Sequence, residues 1–214
     1  FSGNSSQKAA GIRTSSTGAG NSTISIGDNA KFINNTITSN TGAAAIRLYS
    51  DDVTVGKNAA FLDNTGTAIY NGNSNITFGS NVTFSGNKAN VANGIGGALV
   101  NHGVAVATFD SGVFKNNSAT TAGGAIYNKE NAIVNFTGDT VFSGNTANGV
   151  ANDIHNLGIV NVSSGTTTID GGITGDGTLS IANGATLNIG TATVEQGTIT
   201  LDGGTMLATL RDGD

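Results

Sequence analysis

The chain is 214 residues long with a formal net charge of −5, and only 11% of it is charged and 6% aromatic. That is an unusual composition for a compact globule, and nine Lys and Arg do not supply the basic stripe that nucleic-acid binding requires. Thirty-three glycines beside abundant Asn, Thr, Ala and Ser would suit a disordered linker, but 37% hydrophobic residues recurring as spaced Ile, Val and Phe clusters point to a stacked core instead.

Proline is absent, as expected where strands have neighbours on both sides, because a proline removes a ladder donor and is normally confined to edges. Cysteine is absent too, which excludes a disulfide framework and cysteine-held metal and suits a polypeptide exported unfolded. No apolar run approaches the roughly 18 residues of a membrane span, and the opening residues are not expected to form a signal peptide. Phe1 lies inside a repeat motif, so the chain is expected to be an excised fragment.

In chain order the elements repeat. Phe1 to Asn4 is the first Phe-x-x-Asn, followed by the small-aliphatic pair Gly11-Ile12 and the alternating triplet Ile24-Ser25-Ile26. Gly27-Asp28-Asn29 is a turn, and Phe32 to Asn35 starts the next cycle with Ala45-Ile46 and Val53-Thr54-Val55. Phe61 to Asn64, Ala68-Ile69 and Ile76-Thr77-Phe78 form the third; Phe84 to Asn87, Gly97-Ala98-Leu99 and Ala107-Thr108-Phe109 the fourth. Phe114 to Asn117, Gly124-Ala125-Ile126 and Val134-Asn135-Phe136 form the fifth, and Phe142 to Asn145 with Asn152-Asp153-Ile154 the sixth. Successive Phe residues lie 31, 29, 23, 30 and 28 positions apart.

Period-two alternation indicates strands with one buried face. Three short strands in a repeat of about 28 residues make one coil of an all-β, right-handed parallel β-helix, in which equivalent positions of successive coils stack about 4.8 Å apart. The spacing predicts a core column of Phe32, Phe61, Phe84, Phe114 and Phe142 and a structural ladder of Asn35, Asn64, Asn87, Asn117 and Asn145, whose carboxamides can pair from coil to coil. Spacing differences are assigned to turns that bulge outward. The alternative is a β-sandwich of short antiparallel strands, which would not place the same residue at the same phase of every repeat.

From residue 165 Phe disappears, while Thr-Leu-Ser-Ile (178–181), Thr-Leu-Asn-Ile (186–189), Thr-Ile-Thr-Leu (198–201) and Thr-Met-Leu (205–207) keep the alternation. Residues 1–164 are therefore read as the wide coils and 165–214 as smaller, Phe-free coils of one continuous solenoid. The chain reaches Asp214 without a polar cap, and the solenoid is expected to continue in the intact protein.

The paired motifs Gly-Gly-Ala-Ile/Leu and Phe-x-x-Asn, at 96–99, 123–126, 84–87, 114–117 and 142–145, resemble the repeat of chlamydial-type polymorphic outer-membrane proteins over about residues 1–154. The glycine pair is replaced by Ala44-Ala45 and Thr67-Ala68 in earlier coils, and the cysteines common in that family are missing. The last stretch resembles the Gly-Thr-Leu repeats of autotransporter passengers. This resemblance implies a type V secreted passenger domain at the bacterial cell surface or outer membrane, or released from it, acting as an adhesin or virulence-associated protein.

Chemistry is sparse. Asp51-Asp52 is the single adjacent acidic pair and is read as a solvated turn with Ser50, and Asp170 and Asp176 flank Gly171-Gly172 and Gly175 as turn residues. His102 and His155 lie next to Asn101 and Asn156 but at different phases of the coil, so they are not expected to meet. Gly171 to Asp176 is only a partial echo of a calcium-binding nonapeptide, and Thr166 to Thr168 and Thr191 to Thr193 are too short and irregular for an ice-binding array. No catalytic residue, metal ligand or cofactor is assigned. Strand alternation sends the residue after each motif aliphatic outward, so Arg13, Arg47, Tyr70, Val100, Tyr127 and His155 form a candidate binding face. Arg and Tyr are enriched at interface hot spots, while Tyr is also simply a good strand residue.

The functional expectation is host interaction by a non-enzymatic rod, with a host-cell receptor, a glycan or another bacterial cell as partner and self-association also open. The alternatives are a polysaccharide lyase or hydrolase, whose carboxylates or basic side chains would cluster on one face, and an inert stalk displaying another module.

Overall fold

Alternation with period two, broken every few residues by Gly-x-Asn and Phe-x-x-Asn corners, leaves strands too short to stand alone, and they pair from one winding to the next. The computed structural model describes residues 1–14, 22–39 and 43–209. Its architecture is a parallel β-solenoid of roughly 27 residues per turn, without helices among the described residues.

Three sheets run along the rod. The first face has eight strands, from Thr23–Ile26 through Asp52–Val55, Asn75–Phe78, Val106–Phe109 and Ile133–Phe136 to Ile159–Val162, Thr178–Ala182 and Thr198–Asp202. The second also has eight, from Lys31–Ile33 to Thr205–Ala208, and the third has seven, from Ile12–Arg13 to Ile173–Thr174. Between the second and third faces lies an element the three-strand expectation lacked, a corner of two-residue strands such as Lys88–Ala89, Ser118–Ala119 and Thr146–Ala147. Its last member turns back and pairs antiparallel with Val150–Ala151.

Equivalent motifs meet in register. Phe32, Phe61, Phe84, Phe114 and Phe142 are aligned strand to strand, with ring centroids 5.0, 4.6, 4.9 and 4.6 Å apart and planes within 5° of parallel. Phe78, Phe109 and Phe136 form a second column on the first face, and the two columns meet edge to face, as in Phe109 against Phe114 at 5.2 Å and 78°. Offset stacks and edge contacts are the arrangements that the ring quadrupole favours. The core continues past residue 165 through Ile169, Leu179, Ile181, Leu187 and Ile189.

The Asn ladder explains why the third motif residue varies so little. Asn34, Asp63, Asn116, Gly86 and Gly144 precede the ladder residues with φ between 53° and 69°, a left-handed conformation open mainly to Gly, Asn and Asp. That twist aims the following Asn into the corner. Asn64 Nδ2 donates to Asn87 Oδ1 at 2.8 Å and to the Phe32 carbonyl at 3.0 Å, while its Oδ1 accepts both the Nδ2 (3.0 Å) and the backbone N–H (3.0 Å) of Asn35. All four carboxamide positions are used, which is what allows Asn35, Asn64, Asn87, Asn117 and Asn145 to be fully buried. A second ladder runs inside the third face through Asn71, Asn101, Asn128 and Asn156, with Nδ2 to Oδ1 distances of 2.8, 3.0 and 2.8 Å. It starts at Asn71 because the preceding winding has Leu48 there, and Asn71 Oδ1 consequently has no partner.

Candidate functional site

The outer side of the third face carries cationic, aromatic and imidazole side chains in one file. Arg13, Arg47, Tyr70, Val100, Tyr127 and His155 are successive partners in one register file, which continues to Thr174. One residue departs from the expected exposure. Val100 points away from the core but is only 2% exposed, because the segment 90–97 folds back over it; the Cβ position of Gly96 lies 2.9 Å from Val100 Cγ2. Val100 is therefore a covered wall residue and not an open contact point.

Tyr49, two positions beyond Arg47, also belongs to this surface although it was not singled out in the sequence. Its ring lies 6.2 Å from Tyr70, and the Arg47 guanidinium sits over both rings at 5.1 and 5.3 Å. Gly72 makes room for them, since an added Cβ there would lie 3.1 Å from the Tyr70 ring and 3.3 Å from that of Tyr49. His102 stacks on Tyr70 at 5.9 Å, and His155 meets Tyr127 at 4.9 Å with the rings tilted by 34° and Lys129 Nζ 6.0 Å from the tyrosine ring. The two histidines thus serve separate tyrosines. Burial pushes both imidazoles below their usual range, with Lys129 adding to the effect at His102, and burial raises the phenols of Tyr70 and Tyr127.

Beside this stripe is a cleft of about 290 Å³ whose lining includes Arg47, Tyr70, Val91, Ile95, Val100 and Lys129. It has a simple geometric origin. From ladder Asn to motif aliphatic, Asn35 to Ile46 spans 11 positions, Asn64 to Ile69 only 5, and Asn87 to Leu99 fully 12. The short corner lies beside the longer 87–99 segment, and Gly66 and Thr67 line the cleft there. The 90–97 wall is tied on both sides: Thr67 Oγ1 donates to the Ile95 carbonyl at 2.9 Å, Thr120 Oγ1 to that of Val91 at 2.9 Å, and the Thr121 N–H to that of Gly94 at 2.9 Å.

The acidic candidates differ from their expected setting. Asp51 is 4% exposed and not a solvated turn residue, because its carboxylate accepts the Tyr49 N–H at 3.2 Å while its own N–H donates to Ser74 Oγ. Asp52 opens the strand Asp52–Val55 and accepts from Asn75 Nδ2 at 2.8 Å. Asp170 accepts the Gly144 N–H at 3.1 Å in a turn. Asp153, in the sixth small-aliphatic element, closes the first ladder: Oδ1 accepts from Asn145 Nδ2 at 2.8 Å and Oδ2 from the Gly171 N–H at 2.7 Å. Burial outweighs these bonds and pushes its carboxyl up to about 6. The second ladder ends comparably on Gln196, whose Oε1 accepts from Asn156 Nδ2 at 2.6 Å.

Among the described residues no three of His, Asp and Glu gather as a metal site, and no helix is long and apolar enough to cross a membrane. No family model, curated protein or solved structure matches the chain.

Proposed function

We propose that this solenoid is part of a surface-exposed type V passenger rod acting as an adhesin or host-interaction protein, with the third face as its contact surface. The observation that carries the reading is the registered stripe in which Arg47, Tyr49, Tyr70 and His102, then Tyr127, Lys129 and His155, lie ring on ring or cation over ring. All three tyrosines of the chain are on this face. Aromatic and Arg side chains of this kind dominate binding energy at protein surfaces, and a rigid sheet holds them without an ordering cost on contact. The Gly-Gly-Ala and Phe-x-x-Asn resemblance supports the secreted, cell-surface placement.

Replacing Tyr70 and Tyr127 together by Ser tests the reading. Binding of the purified chain to host cells should fall while the circular-dichroism melt stays nearly in place. Undiminished binding by the double variant would move the contact surface elsewhere, and absence of binding by the unaltered chain would leave the stalk reading in its place.

A further inference from the structure

We infer that the cleft beneath segment 90–97 is a binding site for a carboxylated sugar, a hexuronate or nonulosonate unit, held by Arg47 and Lys129. This deepens the adhesin reading and rests on it for the source of the ligand. Three observations carry it.

The first is charge. The chain is net negative, yet among the described residues this cleft is lined by an Arg and a Lys and by no Asp or Glu. The one ion pair among the described residues is Lys57–Asp28, in a turn outside the cleft, so Arg47 and Lys129 have no carboxylate partner there. Glu130, next to Lys129, acts on the phenol of Tyr127 and on His102. Arg47 Nε is buried and has no hydrogen-bond partner, which leaves a charged donor beside the cleft unsatisfied. Nε itself is covered, but a carboxylate in the cleft would offset the unpaired positive charge of Arg47 and can accept charge-assisted bonds from a guanidinium and an ammonium together.

The second is shape and chemistry of the walls. A volume of about 290 Å³ lies at the lower end of small-molecule sites and fits a single sugar ring better than a peptide segment. Tyr70, half-buried, offers an aromatic face, and Val91 and Ile95 give an apolar wall against the C–H side of a pyranose, with the covered Val100 behind them, while Thr67 and the Gly94 region add polar backbone. The third is preorganisation: the wall is fixed by bonds from Thr67 on one side and from Thr120 and Thr121 on the other, so the cleft does not need to be assembled by its ligand.

The test titrates the intact chain with methyl β-glucuronide, the methyl glycoside of N-acetylneuraminate, methyl β-glucoside and inorganic sulfate, followed by the Val100, Ile95 and Val91 methyl resonances. At least one carboxylated sugar should shift those methyls saturably, with glucoside and sulfate failing to do so, and the two acids distinguish the hexuronate from the nonulosonate source. Arg47→Gln and Lys129→Gln should each weaken the effect by about tenfold or more, the size of a lost bond to a charged group, with the unliganded spectrum otherwise retained. Shifts by glucoside equal to those by the acids, shifts by sulfate alone, or no shift by either acid at millimolar concentration would overturn the assignment. Host-cell binding measured on the same variants separates the two claims: binding that survives Arg47→Gln/Lys129→Gln removes the sugar acid as the adhesive ligand and leaves the adhesin reading intact, whereas sugar binding without any cell binding does the reverse.

Discussion

Between Phe78 and Phe142 equivalent positions recur every 27 to 31 residues and each winding carries one Phe in each of two inner columns, whereas beyond residue 165 the register interval drops from 27 (Thr140 to Thr167) to 20 (Thr166 to Thr186) and then 19 (Thr186 to Thr205). The column of Phe136 continues through Val162 and, in the narrower windings, Ile181, and Ile169 and Ile189 lie in the core where the Phe142 column leads. The two-residue corner strands stop at Val150–Ala151, close to where the first Asn ladder ends on Asp153. The wide cross-section is therefore a package: paired aromatic columns demand a longer perimeter, the extra perimeter needs a corner, and the corner needs the ladder to satisfy its buried backbone. Where the Phe residues go, the corner and its ladder go with them. The second ladder, on a face that both regions share, continues past the boundary to Gln196.

The largest contrast should come from the aromatic column. Phe114 is fully buried and stacked between Phe84 and Phe142, so Phe114→Ala should cost about 3–5 kcal/mol in denaturant unfolding, against about 0.5–1.5 kcal/mol for Ile169→Val in the narrow coils. Equal costs would mean that the Phe stack does not set the wide region apart.

Removing one ladder carboxamide comes next. Asn117→Ala removes the acceptor of the Asn87 N–H and the donor to the Phe84 carbonyl, and leaves Asn87 Nδ2 and Asn145 Oδ1 with one partner fewer, at about 1–3 kcal/mol for each buried group that water does not reach. The loss should be concentrated in the wide coils, read as faster amide exchange for residues 84–145 with the 178–190 strands little changed.

The ladder's end gives a pH signature. Asp153 has its carboxyl raised to about 6 from an ordinary 3.8, so the folded chain binds the proton more tightly than the unfolded one. Stability assigned to this group is therefore full below about 4, declines as pH rises through 6 and then levels off, a span of up to about 3 kcal/mol. Asp153→Asn should remove that component, seen as a flatter difference in melting temperature between pH 4 and pH 7. An unaltered pH profile in the variant would place the titration elsewhere. The smallest effect belongs to the outside of the same wide coils: Val113, 38% exposed, should tolerate Thr within about 0.5 kcal/mol.

Much of this was legible because a column repeats its letter. Phe-x-x-Asn, the small-aliphatic pair and the alternating triplets announce which residues share a file, and the files form as expected, including Arg13 through His155. Ladder ends were not legible, because Asp153 replaces what is Ala98 or Ala125 in earlier windings and Gln196 comes from a different phase. Burial of Val100 was hidden for a similar reason: alternation gives direction, and only the path of segment 90–97 decides what covers it. The cleft was visible only as unequal Phe spacings of 29, 23 and 30, which read as harmless bulges until adjacent corners of different length are laid side by side.

The central claim is that successive windings keep one file in register across both regions. Ser25 and Thr200 are outward, exposed, and seven register steps apart on the first face. Because the chain has no cysteine, Ser25→Cys/Thr200→Cys can be spin-labelled at those positions alone and measured by double electron–electron resonance. Seven steps of about 4.8 Å predict a single distance near 34 Å, broadened only by the labels; a broad distribution, or a maximum more than about 10 Å away from that value, would contradict the stacked solenoid.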